Sequence, residues 1–166
     1  MLTAEDLIEK LELKPLPMEG GFYRETYRSS EIIGPEALPK RYSAEKAFAT
    51  AIYYLLIPET KSLLHRLPTD EIFHFYLGDP VRMLLLHPDG KGETIILGPN
   101  FESGHHLQFV VPQGVWQGSY LIDGGRFALM GTTMSPGFDF DDFEPAQRPF
   151  MEGAYSEHRK VIERLL

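Results

Sequence analysis

Residues 65–78 read HRLPTDEIFHFYLG, and two alternating segments separated by a Pro-Thr-Asp turn dominate this stretch. Successive side chains of a β-strand point to opposite faces. The segment EIFHFYL therefore places Glu71 on one face with apolar neighbours and His74 on the other face. The preceding segment, SLLHRL, places His65 among leucines. We predict that the turn pairs the two strands and brings His65 near Glu71 inside a barrel, with His74 outside as a structural or interface histidine.

The rest of the chain repeats this pattern of short strands between turns. Eight strand candidates, each bounded by Gly, Pro, Asp or Asn, cover residues 47–57, 62–67, 71–77, 81–87, 93–97, 107–111, 115–122 and 126–134. A further strand, FYRETYRS, is expected after Gly20 and Gly21. Short strands at this spacing indicate a sandwich or barrel rather than alternating strands and helices. We therefore predict one all-β domain over residues 1–166.

Short helices are predicted at both ends of the chain. Thr3 and Asp6 have the spacing of a capping box, in which each side chain bonds to the backbone N–H of the other residue. The helix that begins there ends by Pro15. The tail SEHRKVIERLL, residues 156–166, places its apolar residues on one helical face.

The composition excludes several classes of protein. The chain has 166 residues, a formal net charge of −8 and 16 scattered basic residues, so we expect no nucleic-acid partner, because phosphate binding requires clustered Lys and Arg. The absence of cysteine excludes thiolate metal ligands and cysteine nucleophiles, and it fits a reducing compartment. The longest apolar run, residues 51–57, is too short to cross a bilayer. We expect a cytoplasmic protein with no membrane partner.

His65 and Glu71 are the candidate reactive groups. Polar side chains on an apolar interior face are unfavourable unless they are paired or hydrogen-bonded. Burial raises the pKa of a carboxyl and lowers that of an imidazole, whereas pairing does the reverse. A histidine in this position can act as a general base or acid near neutral pH. The sequence leaves open a second interpretation, in which the pair only orders the core.

Two motifs around these residues resemble those of the cupin superfamily. HRL at 65–67, followed by Glu71 and Gly78, resembles the first cupin motif, G-x5-H-x-H-x3,4-E-x6-G. PQGVWQ at 112–117 resembles the second, G-x5-P-x-G-x2-H-x3-N. More narrowly, GGFYRETYR, HRLPTDEIF and PGFDFDDFE resemble a small, functionally unassigned family, the fifth cupin domain family. This resemblance covers residues 20–144 and implies a jelly-roll barrel, also called a double-stranded β-helix, and a homodimer.

The chain departs from the metal-binding pattern of that superfamily. A metal-binding cupin takes two His and one Glu from the first motif and one His from the second. Here Leu67 stands in place of the second His and Gln117 in place of the last. Leucine has no donor atom, and glutamine is a weak neutral ligand, whereas transition-metal sites use about three or four N, O or S ligands. We therefore expect no metal cofactor.

Metal-free cupins provide the other model. The nucleotide-sugar 3,5-epimerases, which the unassigned family resembles in fold, use a His–carboxylate dyad to remove a carbon-bound proton and a Tyr to return one. The resemblance implies that His65 is the base, oriented by Glu71, of a metal-independent epimerase or isomerase for a nucleotide-sugar-like small molecule. The substrate-binding candidates are Tyr23, Arg24, Gln117 and Ser119. The acid that returns the proton is left open among Tyr23, Tyr27, Tyr53 and Tyr54.

Two alternative functions remain at this point. One is a metal-dependent cupin oxygenase or isomerase with a divalent transition metal at His65 and Glu71, completed by His105 or His106. The other is a non-catalytic cupin that binds a small metabolite. The sequence identifies neither the substrate nor whether the protein is an enzyme.

The segment FDFDDFE, residues 138–144, combines three Phe with four acidic residues. A calcium loop requires a denser and differently spaced set of oxygen ligands. We predict instead that the Phe side chains plug the barrel or an interface and that the acidic side chains stay solvated.

Overall fold

The computed structural model describes residues 2–166 and contains thirteen strands and three α-helices within that range. The strands are β1 (Lys14–Pro15), β2 (Phe22–Arg28), β3 (Ile32–Ile33), β4 (Lys46–Ala47), β5 (Thr50–Leu56), β6 (Ser62–Arg66), β7 (Glu71–Gly78), β8 (Val81–Leu86), β9 (Gly92–Leu97), β10 (Gln108–Val111), β11 (Trp116–Leu121), β12 (Ala128–Met134) and β13 (Glu144–Pro145). The helices are α1 (Ala4–Lys10), α2 (Arg148–Ala154) and α3 (Arg159–Leu165). None of the helices in the described range is long and apolar enough to cross a membrane.

The strands form two antiparallel sheets that face each other. The six-stranded sheet has the order β1-β2-β5-β12-β7-β10, and the five-stranded sheet has the order β13-β6-β11-β8-β9. β3 and β4 form a separate pair. The predicted all-β, two-sheet barrel with short helices at both ends is confirmed.

The main core lies between the two sheets. Phe73 and Met130 of the six-stranded sheet pack in one cluster with Met83 and Leu85 of the five-stranded sheet. The intervening residue of β8, Leu84, is equally buried but belongs to a second cluster, on the opposite face of the five-stranded sheet. Because both faces of β8 are covered, its sequence VRMLLL reads as a nearly continuous apolar run rather than an alternating one.

The helices cover parts of the barrel that the strands leave open. Thr3 and Asp6 form the predicted capping box of α1. The predicted closing helix is α3, whose Ile162 and Leu165 are fully buried in the second cluster. The sequence interpretation missed α2, whose Met151 joins the same cluster.

The predicted hairpin of β6 and β7 is wrong, because the two strands belong to different sheets. The chain crosses from one sheet to the other at residues 67–70. Contacts with distant loops hold this crossing: Gln113 N–H donates to Asp70 Oδ1 at 2.8 Å, and Thr69 Oγ1 lies 2.7 Å from the hydroxyl of Tyr42. The Pro-Thr-Asp turn therefore connects the two layers instead of pairing adjacent strands.

Gly20 lies in a tight turn before β2 at a φ of +96°. A Cβ atom at this position would clash with the backbone carbonyl oxygen of Lys61, which cannot move away as a side chain can. Gly90 has a similar φ of +88°, but a Cβ atom there would meet nothing within 4 Å. We expect Gly20→Ala to lower the free energy of unfolding by about 2 kcal/mol more than Gly90→Ala, as measured by urea denaturation. Equal losses in the two variants would contradict this account of the turn.

Candidate functional site

A cavity of about 220 Å³ opens into one end of the barrel, and we call it the barrel cavity. Its apolar lining includes Leu16, Ile52 and Leu67, and Phe138 and Phe140 lie in the same wall. Its polar lining is Glu19, Tyr23, Glu25, Arg28, Thr50, Glu71, Thr132 and Asp139. The cavity is therefore an apolar space into which several hydroxyl and carboxyl groups point.

His65 is buried on β6 with one ring nitrogen bonded and the other free of partners. Its Nδ1 lies 2.7 Å from the carbonyl oxygen of Leu63. Because a carbonyl only accepts, Nδ1 carries the proton and Nε2 keeps its lone pair. Nε2 has no hydrogen-bond partner within residues 2–166, and the ring stacks on Phe143 with centroids 4.8 Å apart. Burial lowers the pKa of His65, although the charge of Glu71 opposes this effect, so the ring is neutral and Nε2 can accept a proton.

Glu71 begins β7 and is buried at the cavity wall, with 8% of its surface exposed. The amide nitrogen of Gln117 donates to its Oε2 at 2.7 Å, and the hydroxyl of Thr132 also bonds to it. Burial raises the pKa of Glu71 to about 7, and the nearby charge of Glu19 acts in the same direction. A carboxyl with this pKa is partly protonated and partly ionised near neutral pH.

Gln117 and Ser119 share the inward face of β11, and Trp116 and Tyr120 pack in the cluster on its other face. Gln117 pairs directly opposite His65 across the β6–β11 ladder. The structure therefore brings His65, Glu71 and Gln117 together. Gln117 Oε1 and Ser119 Oγ have no hydrogen-bond partner in the part of the chain that the structure describes.

The predicted residues differ in their relation to the barrel cavity. Glu71 and Tyr23 line it, whereas His65, Gln117 and Ser119 are not among its lining residues. Arg24 does not line it either, and its guanidinium ion-pairs with Glu12 at 3.3 Å. A substrate-binding role for Arg24 stays a prediction.

Arg28, rather than Arg24, reaches the barrel cavity. It ion-pairs with Glu25 at 2.9 Å and with Asp139 at 3.2 Å. A bulge between Glu25 and Tyr27 interrupts the pairing of β2 with β5. It shifts the register before Arg28, so that side chains no longer alternate strictly between the two faces of β2.

Of the four tyrosines that the sequence offered as acids, Tyr23 alone is found in the cavity lining. Tyr27 is exposed, and Tyr53 contacts Tyr76 edge-to-face with centroids 6.0 Å apart. The hydroxyl of Tyr54 donates to the carbonyl oxygen of Gly20 at 3.0 Å. Burial raises the pKa of Tyr54 well above its ordinary value, so this hydroxyl keeps its proton.

The sequence interpretation missed Glu19, which lines the barrel cavity from the loop before β2. The hydroxyl of Ser62 donates to Glu19 Oε1 at 2.8 Å. Burial raises the pKa of Glu19 to about 7, while the hydrogen bond from Ser62 acts in the opposite direction. The sequence offered one signal for this role: Glu19 stands directly before Gly20 and Gly21. The turn at these two glycines directs its side chain into the barrel.

His74 lies on the outer face of β7, away from Glu71, as predicted. Its Nε2 is 3.1 Å from Thr133 Oγ1, and its Nδ1 accepts from the amide of Gln108 at 3.1 Å. Both ring nitrogens thus have partners, which agrees with a structural role.

The donor set of the barrel does not fit a transition-metal centre. Within the described part of the chain, no three His, Asp or Glu side chains lie close enough together to hold a metal ion. Leu67 lines the cavity where a second histidine would stand, and the amide of Gln117 is already bonded to Glu71. His106 pairs with Leu97 at the end of β9, and a Cβ atom added at Gly98 would touch the ring of His105, so both histidines lie beside β9.

The segment 138–144 covers one side of the cavity. Phe138 and Phe140 line it, and Phe143 stacks on His65, which agrees with the predicted plug. The prediction that the acidic side chains stay solvated is wrong for Asp142, whose side chain is 8% exposed and bonds to the buried Lys46 at 2.7 Å.

Two facing antiparallel sheets around an internal cavity of this kind are the architecture of a cupin barrel. The chain belongs to the family described as "Cupin superfamily (DUF985)", whose model matches residues 5–146. Among curated proteins, it is similar to the uncharacterized protein YML079W of Saccharomyces cerevisiae, with 30% identity over 132 residues, which are 75% of this chain and 66% of the yeast protein. The chain therefore spans slightly less than two thirds of the length of that relative.

Solved structures show the same fold. A hypothetical protein from Leishmania major has 32% identity and a TM-score of 0.87, and protein SO0799 from Shewanella oneidensis has 35% identity and a TM-score of 0.87; each match covers 99% of this chain and 98% of the other. Oxalate decarboxylase of Bacillus subtilis, which has Mn(II) centres, is a distant match with 13% identity and a TM-score of 0.54 over 94% of this chain and 38% of that chain. At that identity, the match shows the fold alone.

Proposed function

We propose that this cupin is a metal-independent isomerase or epimerase that transfers a proton on a sugar-like small molecule in the barrel cavity. The observation that carries the proposal is the carboxyl of Glu71, which lines the cavity and has a pKa raised to about 7. A general base or acid is most effective when its pKa lies near the working pH. Buried groups with such shifted pKa values are concentrated at functional sites.

The size and charge of the barrel cavity favour a small, uncharged substrate. Its volume of about 220 Å³ lies below the range of about 300–1,000 Å³ that is typical of sites for drug-sized ligands. Arg28 is the one Lys or Arg among the described lining residues, and it already pairs with Glu25 and Asp139. A phosphate would therefore lack a free cationic partner. We propose a substrate of monosaccharide size rather than a nucleotide-linked sugar.

The proposed reaction begins at the carbon next to a substrate carbonyl. Ionised Glu71 removes the proton from this carbon, and the electron pair of the C–H bond moves into the carbonyl to give an enolate. The hydroxyl of Tyr23, in the cavity lining, donates a hydrogen bond to the enolate oxygen. Return of a proton to the opposite face of the carbon gives the epimer. Glu71 rather than His65 is proposed as the base because His65 does not line the cavity, although its Nε2 has no partner among residues 2–166.

The alternatives have weaker support in the residues present. A metal-dependent oxygenase or isomerase requires a ligand set that the described residues do not supply. A non-catalytic binder has no need of a carboxyl with a pKa near 7 at the cavity wall, although such a group does not disturb binding. Exchange of a carbon-bound substrate hydrogen with the solvent distinguishes an enzyme from a non-catalytic binder.

The proposal is tested by hydrogen exchange in D₂O with protein purified in the presence of a chelator. The protein is incubated with a panel of uncharged aldoses and ketoses of five and six carbons, and proton NMR follows the signal of the carbon-bound hydrogen next to the carbonyl. We expect deuterium to replace this hydrogen in at least one sugar. Binding of a sugar without any exchange would identify a binding protein instead.

We also propose that the protein acts as a cytoplasmic homodimer that buries the outer face of its six-stranded sheet. Tyr76 on β7 and Val110 on β10 point to this face and are 50% and 46% exposed. Such apolar exposure is typical of interaction surfaces. Light scattering is expected to give twice the mass of the chain for the protein and the mass of one chain for Tyr76→Glu. A monomeric wild-type protein would contradict the proposal.

A further inference from the structure

Glu19 and Glu71 approach the barrel cavity from different parts of the fold. Glu71 belongs to the six-stranded sheet, where Thr132 of the neighbouring strand bonds to its carboxyl. Glu19 is held against the five-stranded sheet, because its backbone carbonyl accepts from Leu63 N–H at 2.8 Å and its carboxyl accepts from Ser62. Both side chains line the same cavity of about 220 Å³. Two carboxyls thus reach one small space from two walls.

The groups that donate hydrogen bonds to the two carboxyls are neutral. The hydroxyl of Ser62 donates to Glu19, and the hydroxyl of Thr132 and the amide of Gln117 bond to Glu71. Within residues 2–166, no ion pair joins either carboxyl to a Lys or an Arg. Two ionised carboxylates would repel each other here without a compensating cation.

Two buried polar atoms on β11 have no hydrogen-bond partner among residues 2–166. Gln117 donates its amide hydrogen to Glu71, but its Oε1 has no partner in the described residues, although the side chain is 2% exposed. Ser119, on the same face of β11, is fully buried with an equally unpartnered hydroxyl. Buried polar groups are almost always hydrogen-bonded. Neither residue lines the barrel cavity, so the pairing of the two carboxyls does not depend on these atoms.

We infer that Glu19 and Glu71 form one carboxyl pair that shares a single proton in the barrel cavity, and that Glu19 is the acid that returns a proton to the substrate carbon. This inference rests on the proposed function. It identifies the acid that returns the proton, for which the sequence had offered only tyrosines. While Glu71 is ionised, Glu19 is protonated, so base and acid are present together. The proton of the substrate C–H bond passes to Glu71, the electron pair goes to the carbonyl oxygen, and the proton of Glu19 re-forms the C–H bond from the other wall as the electron pair returns to the carbon.

The charged and titratable groups around the pair define its pH dependence. His65 on β6 and Tyr54 on β5 face the carboxyls, and the cavity lining adds Tyr23, Glu25, Arg28 and Asp139. Burial raises the pKa of both Glu19 and Glu71 from an ordinary value of 4.5 to about 7. The folded state therefore binds more protons than the unfolded state between these values. The stability contributed by the protonated pair is present below pH 4.5 and is lost as the pH rises towards 7.

Carbon-13 NMR of protein labelled at the Glu carboxyl carbons tests the pair directly. We expect the titration midpoint of Glu71 to fall by about one pH unit in Glu19→Gln, because the neighbouring negative charge is gone. Glu93→Gln, which changes an exposed residue on β9, is the matched control and should leave this midpoint unchanged. An unchanged midpoint in Glu19→Gln would overturn the inference.

The role of Glu19 as the acid is tested with a sugar that the wild-type protein converts. In Glu19→Gln, formation of the inverted product should fall by about 100-fold, whereas exchange of the substrate hydrogen, which Glu71 performs from its own side, should fall much less. Equal losses of exchange and inversion, or no loss of inversion, would overturn the assignment. Failure of every sugar to exchange with the wild-type protein would overturn the proposed function, while the NMR titration would still decide whether the two carboxyls form a pair.

Discussion

Glu71→Gln is expected to reduce the rate of solvent exchange into the substrate by about 10²- to 10⁴-fold, the usual contribution of a general base or acid. The substitution keeps the size of the side chain and an oxygen that accepts the hydrogen bond from Gln117. It removes the ionisable group from the cavity wall. The expected loss is therefore chemical rather than a consequence of unfolding, and circular dichroism should show an unchanged fold.

The control for this prediction is Glu93→Gln, which removes a carboxylate from an exposed position on β9. Glu93→Gln should catalyse solvent exchange into the substrate at the rate of the wild-type protein. If Glu71→Gln retains at least a tenth of the wild-type rate, Glu71 is not the base, and the site must transfer protons through another group.

His65 supplies a second test of the same chemistry. If the free Nε2 of His65 and the carboxyl of Glu71 act as one unit, His65→Gln and Glu71→Gln each remove most of the activity, and the double variant is hardly worse than either single one. Independent contributions would instead multiply. The structure adds a reason for this expectation, since Gln117 bonds to Glu71 and pairs opposite His65, so a shift of any one of the three disturbs the others.

The alternation of side chains along strands was the most dependable part of the sequence prediction. It assigned Glu71 to the interior and His74 to the exterior, because a strand has a strict two-residue period. The connection between β6 and β7 was predicted wrongly. Whether Pro-Thr-Asp pairs two strands or carries the chain to the other sheet depends on contacts with residues far along the chain, such as the bond from Gln113 to Asp70.

Two features could not be predicted from local sequence. Glu19 belongs to a loop, where no periodic pattern assigns a side chain to a face, and its entry into the barrel depends on the close approach of Gly20 to the carbonyl of Lys61. The helix α2 is short and contains Gly153, which disfavours helix in isolation. The burial of Met151 under the second cluster stabilises this helix against its weak propensity.

The second prediction with a large effect concerns Lys46, a buried cation that holds the cavity-covering segment 138–144 in place. Its Nζ lies 2.7 Å from both carboxylate oxygens of Asp142 and 3.1 Å from Asp139. Burial lowers the pKa of Lys46, but the two carboxylates more than offset this, so that its pKa is raised and the ammonium stays charged. Breaking a buried ion pair by removing one partner leaves the other charge uncompensated.

We therefore expect Lys46→Met to lower the free energy of unfolding by about 3 kcal/mol at pH 7, measured by urea denaturation. The matched control is Lys91→Met, which removes one side of the pair between Lys91 and Asp89, a bond of 3.0 Å in which the side chains are 83% and 54% exposed. An exposed pair of this kind contributes about 0.5 kcal/mol. Similar losses in the two variants would show that burial does not set the strength of the Lys46 contact.

The double variant Lys46→Met/Asp142→Asn distinguishes two causes of the destabilisation. One is the lost attraction between Lys46 and Asp142, and the other is the cost of leaving the Asp142 carboxylate buried without a cation. Asp142 also caps the turn at residues 139–142 by accepting from the backbone N–H of Asp139 at 3.1 Å, a bond that the Asn side chain can keep through its carbonyl oxygen. If the uncompensated carboxylate causes most of the destabilisation, the double variant should be more stable than Lys46→Met alone. If it is less stable, the attraction itself dominates, and the wall formed by Phe138 and Phe140 depends on that ion pair for its position at the cavity.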